Sequence, residues 1–176
     1  MTEDVRQSKS EPDGLLAQVK REHLGERKLC NQLERIADDL LAPLDPALAS
    51  MSVTGLRVYA RRHRLLEEGY LYPLLTKRLR RGELEEDLVE QIRDEHVSDE
   101  CLAQDTAEQL ERALERGRAE NPEMLGYMLH GYFECRRRHI AWEDAVVLPL
   151  ARSRLSPTDL KAFSIAEFEQ VLALQR

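Results

Sequence analysis

Aromatic residues make up only 5% of the 176-residue chain, which has 8 glycines, 7 prolines and 3 cysteines. This scarcity argues against a sandwich or barrel of short strands, whose turns and packed faces need those residues. Three cysteines cannot complete a disulfide frame, and Cys30, Cys101 and Cys135 show no CxxC spacing. A zinc ribbon is thereby excluded, and reduced thiols in the cytoplasm are expected. No apolar run of about 18 residues is present, so no membrane partner is expected. The first residues, MTEDVRQSKSEPDG, have no apolar core like that of a signal peptide.

Basic charge is also in short supply. A formal net charge of -7 leaves no overall basic face for phosphate, so no nucleic-acid partner is expected. Two basic clusters remain, Lys77–Arg81 and Arg136–Arg138. The first suits a helix end before Gly82, and the second is expected to fan into solvent from a helix.

What is plentiful is charge on helical patterns, with 42% hydrophobic and 34% charged residues. A polar tail is expected over residues 1–12, a functional bundle over 13–155 and a helical extension over 156–176. The first helix starts near Pro12 and Asp13, and its apolar seam reads Leu16, Val19, His23, Glu26, Cys30, Leu33, Ala37, Leu40 before Pro43 and Pro46. The second starts near Ser52 and reads Leu56, Tyr59, His63, Glu67, Tyr70, Leu74, with a bend expected at Pro73. The third reads Leu84, Leu88, Ile92, His96, Glu100, Ala103, Ala107, Leu110, Leu114. A fourth follows Asn121 and Pro122 and reads Leu125, Met128, Tyr132, Cys135, His139, Glu143, Val146, Leu150. Long helices joined by short loops predict an all-α, up-down-up-down antiparallel four-helix bundle, followed by short C-terminal helices over about 158–163 and 165–175. No internal repeat or low-complexity segment is evident.

Each seam carries a histidine where a hydrophobic residue belongs. Four of the five histidines have a glutamate four residues later: His63 with Glu67, His96 with Glu100, His130 with Glu134 and His139 with Glu143. Spacing alone does not distinguish a site from an ordinary helix-surface pair. Facing does. At about 100° per residue, His130 lies about 180° from His139 and faces outward, whereas His23, His63, His96 and His139 share the apolar register. Burying four imidazoles together with Glu67, Glu100 and Glu143 costs several kcal/mol per unpartnered ionised group. A metal centre removes that cost. Imidazole with carboxylate suits iron, manganese or zinc, and this many donors suits two bridged ions.

These residues resemble the hemerythrin-like (HHE cation-binding) family, four-helix bundles with a non-haem di-iron centre. The resemblance rests on lone His23, on His63-Arg-Leu-Leu-Glu67 followed by LYPLL, on His96, and on His139-Ile-Ala-Trp-Glu143 followed by Leu148-Pro149. It covers about residues 15–152. Ferritin-like di-iron bundles place glutamate before histidine, three residues apart, the reverse of the order here. The resemblance implies Glu67 and Glu143 as bridges, His23 and His63 on one iron, and His96 and His139 on the other, with zinc or manganese as substitutes. Oxygen-carrying hemerythrins add a histidine one turn after the third-helix ligand and usually end in His-x-x-x-x-Asp. Here Glu100 occupies the first place and His-x-x-x-Glu the second, so Glu100 is expected as a seventh ligand.

An anionic seventh ligand favours ferric iron and disfavours simple oxygen carriage. The family then implies a protein that interacts with O₂, peroxide or nitric oxide, or responds to iron, as a sensor or oxidative-stress protein. The alternatives are a peroxidase-like or oxidase-like di-iron enzyme, reversible oxygen binding, and a structural metal-binding bundle. A sensor would need a partner protein, since no output module is visible. Tyr59, Tyr70, Tyr132, Cys30 and Cys135 are read as packing ahead of lining the pocket, Trp142 as a wall of the site, and Glu26 either as an acceptor of an imidazole N–H or as a polar residue escaping to the bundle end. Charged outward faces without an apolar stripe predict a monomer or weak dimer.

Overall fold

The computed structural model describes residues 14–82 and 86–174, with side chains from residue 90 onward in the second stretch. The expected tail over 1–12 and the side chains of Leu84 and Leu88 lie outside the described residues. The described residues are mostly helical, with short turns between the helices and no strand among them. Helix α1 spans Leu15–Asp38. Helix α2 runs without interruption through Pro46–Leu66, Glu67–Leu71 and Tyr72–Thr76. Helix α3 spans Glu86–Arg116. Helix α4 runs through Pro122–Trp142, Glu143–Val147 and Leu148–Arg154. Short helices α5 (Pro157–Lys161) and α6 (Ile165–Leu174) follow. No described helix is long and apolar enough to cross a membrane.

Local chemistry sets the helix ends. Pro46, expected to break a helix, instead opens α2, because Asp45 accepts from the backbone N–H of Ala47 and Leu48 while proline supplies a preformed first turn. α2 therefore begins about one and a half turns before Ser52. Asn121 and Pro122 cap α4 as expected. Gly117, at φ +70°, turns the chain out of α3 in the left-handed conformation that glycine adopts at little cost.

Prolines 73 and 149 do not end their helices. Just before each, one turn widens to i→i+5 bonding: the N–H of Tyr72 donates to the carbonyl of Glu67, and that of Leu148 to the carbonyl of Glu143. A proline ring clashes with the carbonyl four residues back and offers no N–H, so a wider turn lets the helix pass through it. The extra residue advances the inward face by one position. Leu71, Tyr72 and Leu75 are buried in place of the expected Tyr70 and Leu74, and Val147, Leu148 and Ala151 in place of Val146 and Leu150. Both wide turns start on an expected bridging glutamate. The sequence does contain a repeat: residues 63–73 and 139–149 both read His-x-x-x-Glu, an acid, four residues, then proline.

Helices α1 and α2, α2 and α3, α3 and α4, and α4 and α1 pack against one another in a closed ring. Two apolar cores fill it. One gathers Leu29, Leu33, Leu56, Leu110, Leu129 and Phe133. The other gathers Leu15, Val19, Leu66, Leu75, Val147 and Phe168. Each buried side chain of this size stabilises by roughly 1.5–3 kcal/mol. Between the cores lies a layer of buried polar groups, crossed by α1 and α3 from the second core to the first and by α2 and α4 in the opposite sense. The C-terminal extension closes the second core. Phe168 is buried beside Tyr70 and Phe163, and Arg62 of α2 lies 5.1 Å over its ring while pairing with Glu22 and Glu169.

Candidate metal centre

The polar layer holds His23, His63, His96, His139, Glu67 and Glu143, all 6% exposed or less. One potential donor atom from each of His63, Glu67, His96, His139 and Glu143 lies within 4.8 Å of the others. His23 joins at the side, with Nε2 3.2 Å from Oε2 of Glu143. His63 Nε2 lies 3.3 Å from Glu67 and 3.4 Å from Glu143. His96 Nε2 is 3.2 Å from Nε2 of His139, which is itself 3.0 Å from Glu143 Oε1. All four imidazoles thus turn the same nitrogen, Nε2, toward two carboxylates.

The opposite nitrogen of each ring meets a further carboxylate. Nδ1 of His23 lies 2.8 Å from Asp144, and that of His96 3.0 Å from Glu68. For His139 and His63 the partners are Glu95 and Glu26, both at 3.3 Å. A carboxylate on Nδ1 of a neutral ring holds the proton there and leaves the Nε2 lone pair facing inward, the arrangement that orients metal-binding histidines. For His23, His96 and His139 the contact is a hydrogen bond, whereas Nδ1 of His63 and Oε1 of Glu26 face each other without forming one. Tyr72 adds one more group, its buried hydroxyl donating to Glu67 Oε2 at 3.0 Å and to Glu143 Oε1 at 3.1 Å. The wide turn starting at Glu67 brings this phenol, five residues on, over the carboxylate. Its counterpart in α4 is Leu148, which has no hydroxyl.

The electrostatics are those of a crowded, dry site. Burial opposes charging His63, but Glu67, Glu143 and Glu26 outweigh it and hold its pKa well above the ordinary histidine value. His23 is raised too, against burial, by hydrogen bonding and attraction to Glu143. For His96, burial dominates and pushes the pKa down to about 4. Burial, with Glu143 alongside, pushes Glu67 up to about 7. Glu143 goes the other way: despite burial, His63 and the hydrogen bonds around it hold the carboxyl well below the usual carboxylate range.

The donor set fits a metal. Nε2 of His23 and His63, Oε1 of Glu67 and Oε2 of Glu143 are buried with no hydrogen-bond partner, although they lie in one small space. Protein interiors rarely leave such atoms unsatisfied. Cations taking those lone pairs would satisfy them and offset the buried carboxylate charge.

Glu100 is not brought to this group. Its Oε2 accepts from Arg64 Nε at 2.7 Å and its side chain is 20% exposed. Asp99 holds the inward position one residue earlier, because the seam of α3 steps by four and then three, through Ile92, His96, Asp99 and Ala103. His130 is exposed against Phe133, as its facing predicts. Glu26 faces His63 across the helix interface. Arg136 corrects the expectation for the basic cluster at 136–138: it is 1% exposed and pairs with Glu26 and Asp99. Sequence reasoning missed Tyr72, Glu68, Asp144, Glu95 and Arg136. The acid directly after each expected bridging glutamate, Glu68 and Asp144, was the readable signal.

A cleft of about 510 Å³ between α3 and α4 reaches His139, lined by Ile92, Glu95, Ser98, Cys135 and Trp142 among others. A second, of about 360 Å³, reaches His23 beside Lys20, Arg27 and Arg152. The family described as the hemerythrin HHE cation binding domain matches residues 14–151. No curated protein and no solved structure gives a match.

Proposed function

The chain belongs to the hemerythrin HHE cation-binding family, and from that premise we propose that it is a non-haem di-iron protein of an up-down-up-down bundle. The alternating order in which the four long helices cross the polar layer supports that topology. On this reading residues 13–155 are the functional bundle and 156–176 a helical extension, whose described part, through Leu174, packs on the end of the bundle. His23 and His63 would hold one iron and His96 and His139 the other, with Glu67 and Glu143 supplying the shared carboxylates. The single observation that carries the assignment is the convergence of four Nε2 atoms on two buried carboxylates, with a carboxylate behind every Nδ1.

When bound, iron supplies one-electron chemistry and open positions for O₂, peroxide or nitric oxide. The protein's part is to orient the donors through Asp144, Glu26, Glu68 and Glu95, to exclude water with the two apolar cores, and to hold a proton on Tyr72 against both carboxylates. Glu100 stands where oxygen carriers have a further histidine and is engaged with Arg64. The centre therefore offers one protein donor fewer than a carrier, which favours sensing or oxidative-stress chemistry over transport. The cleft beside His139 favours a second reading, a peroxidase-like or oxidase-like enzyme, since its size is that of a small-ligand site. Free Cys30, Cys101 and Cys135 suit the reducing cytoplasm.

Anaerobic loading with ferrous iron, followed by O₂ and then peroxide, tests the assignment. Oxo-bridged ferric absorption that bleaches on reduction and returns with O₂ is expected. Sustained peroxide turnover would select the enzyme reading, and a protein that takes up no iron would overturn both.

A further inference from the structure

The deepest arginine–carboxylate pair among the described residues lies outside the six-donor cluster. Arg136 stands three residues before His139 on α4, and its Nε donates to Glu26 Oε2 on α1 at 2.7 Å. Its Nη1 donates to Asp99 Oδ2 on α3 at 2.9 Å. The other oxygen of Glu26 faces Nδ1 of His63, on α2, at 3.3 Å. One polar series, Asp99, Arg136, Glu26, His63, therefore draws on all four long helices.

Helix stability alone does not account for it, because apolar residues of similar volume commonly serve a core as well as a buried ion pair does. Its end point matters more. His63 is the hub of the imidazole cluster, with ring centroids 5.4, 5.2 and 5.6 Å from those of His23, His96 and His139. The carboxylates behind those three rings have side chains 38%, 23% and 48% exposed, so water reaches Asp144, Glu68 and Glu95. Glu26 is 1% exposed. Sealed from bulk solvent, it takes its direction from Arg136, whose Nε and Nη2 both meet Oε2, and Asp99 anchors the other arm of the guanidinium.

We propose that Arg136 is a positioning residue for His63, clamping Glu26 so that the proton stays on Nδ1 and Nε2 faces the centre. This rests on the reading of the six side chains as metal donors.

The test compares Arg136→Met, the double variant Glu26→Gln/Arg136→Met and the surface control Arg137→Met, Arg137 being paired with Glu34 at 2.6 Å. Three quantities are measured: ferrous iron affinity against a competing chelator under anaerobic conditions, thermal unfolding of the metal-free protein, and the ¹⁵N shifts of His63 in the zinc-loaded protein. Arg136→Met is expected to lower the unfolding temperature, since it strands the Glu26 charge, and to weaken iron binding about 10–100-fold. The double variant removes the Glu26 and Arg136 charges, leaving only the partly exposed Asp99 unpaired, and is expected to regain part of the lost thermal stability while keeping the weaker binding and showing mixed tautomers at His63. It also keeps the test open if the single variant does not fold. Wild-type affinity and a single His63 tautomer in the double variant would overturn the proposal while leaving the metal centre intact. Iron uptake that is absent from wild type, or present there and unchanged by His63→Ala, would instead overturn the metal reading, and the proposal with it.

Discussion

Replacing Glu67 with glutamine is expected to stabilise the metal-free protein at mildly alkaline pH while abolishing metal retention. Burial, reinforced by Glu143, moves this carboxyl from 4.5 up to about 7. Below 4.5 it is protonated in both the folded and the unfolded chain, so it contributes no pH-dependent cost. Between 4.5 and 7 the unfolded chain ionises first, and the folded state is progressively penalised. Above 7 the penalty is complete, at roughly 3 kcal/mol for a shift of this size. Glutamine keeps an oxygen that accepts from the Tyr72 hydroxyl, yet cannot ionise. For a chain of this length the gain corresponds to roughly 6–12 °C in unfolding temperature. His63 and His23 act in the same direction in the wild type. Their folded pKa values are raised, so the stability from charging them is present below the unfolded value of 6.5 and is lost as pH rises through the folded values. The assay is thermal unfolding of chelator-treated wild type and Glu67→Gln near pH 5 and near pH 8, by circular dichroism. The variant's advantage should be small at the acidic end and large at the alkaline end. Adding ferrous iron should reverse the order, since binding at a thousand times Kd stabilises by about 4.1 kcal/mol and only the wild type would bind well. No advantage near pH 8, or an equal one near pH 5, would refute the account of Glu67 as a strained, metal-awaiting carboxylate.

Three further outcomes are expected. His63→Ala should release iron and lower the unfolding temperature of the iron-loaded protein, whereas exposed His130→Ala should change neither; equal effects would contradict the inward and outward assignment. Glu100→Gln should leave iron affinity within about twofold of wild type, because Glu100 pairs with Arg64, and at such a surface pair about 1 kcal/mol or less is at stake. A tenfold or greater loss of affinity, measured by chelator competition, would restore it as a ligand. Leu33→Ala, fully buried in the first core, should cost about 2–5 kcal/mol in denaturant unfolding. It should leave the iron stoichiometry unchanged, since the site sits beyond that core.

The sequence by itself determined the helical class, the inward facing of His23, His63, His96 and His139, and the outward facing of His130. Facing follows from a fixed angle per residue, and an amphipathic pattern reports it wherever the helix stays regular. Where regularity failed, the reading failed with it. The wide turns before Pro73 and Pro149 advanced the buried face by one residue, exchanging Tyr70 for Leu71 and Tyr72, and Val146 for Val147 and Leu148. In α3 a single position separated inward Asp99 from Glu100, too fine a distinction for a pattern read in steps of four. Tertiary structure alone decided the partners across helices: Asp144 for His23, Glu26 for His63, Glu68 for His96 and Glu95 for His139. It also decided that Arg136, one of three consecutive arginines, turns inward while Arg137 pairs at the surface. Glu26 and Arg136 lie 110 residues apart in the chain. Local periodicity does not encode such a pairing. It exists because the closed ring of helices brings two buried charges within reach, where the cost of leaving either alone is largest.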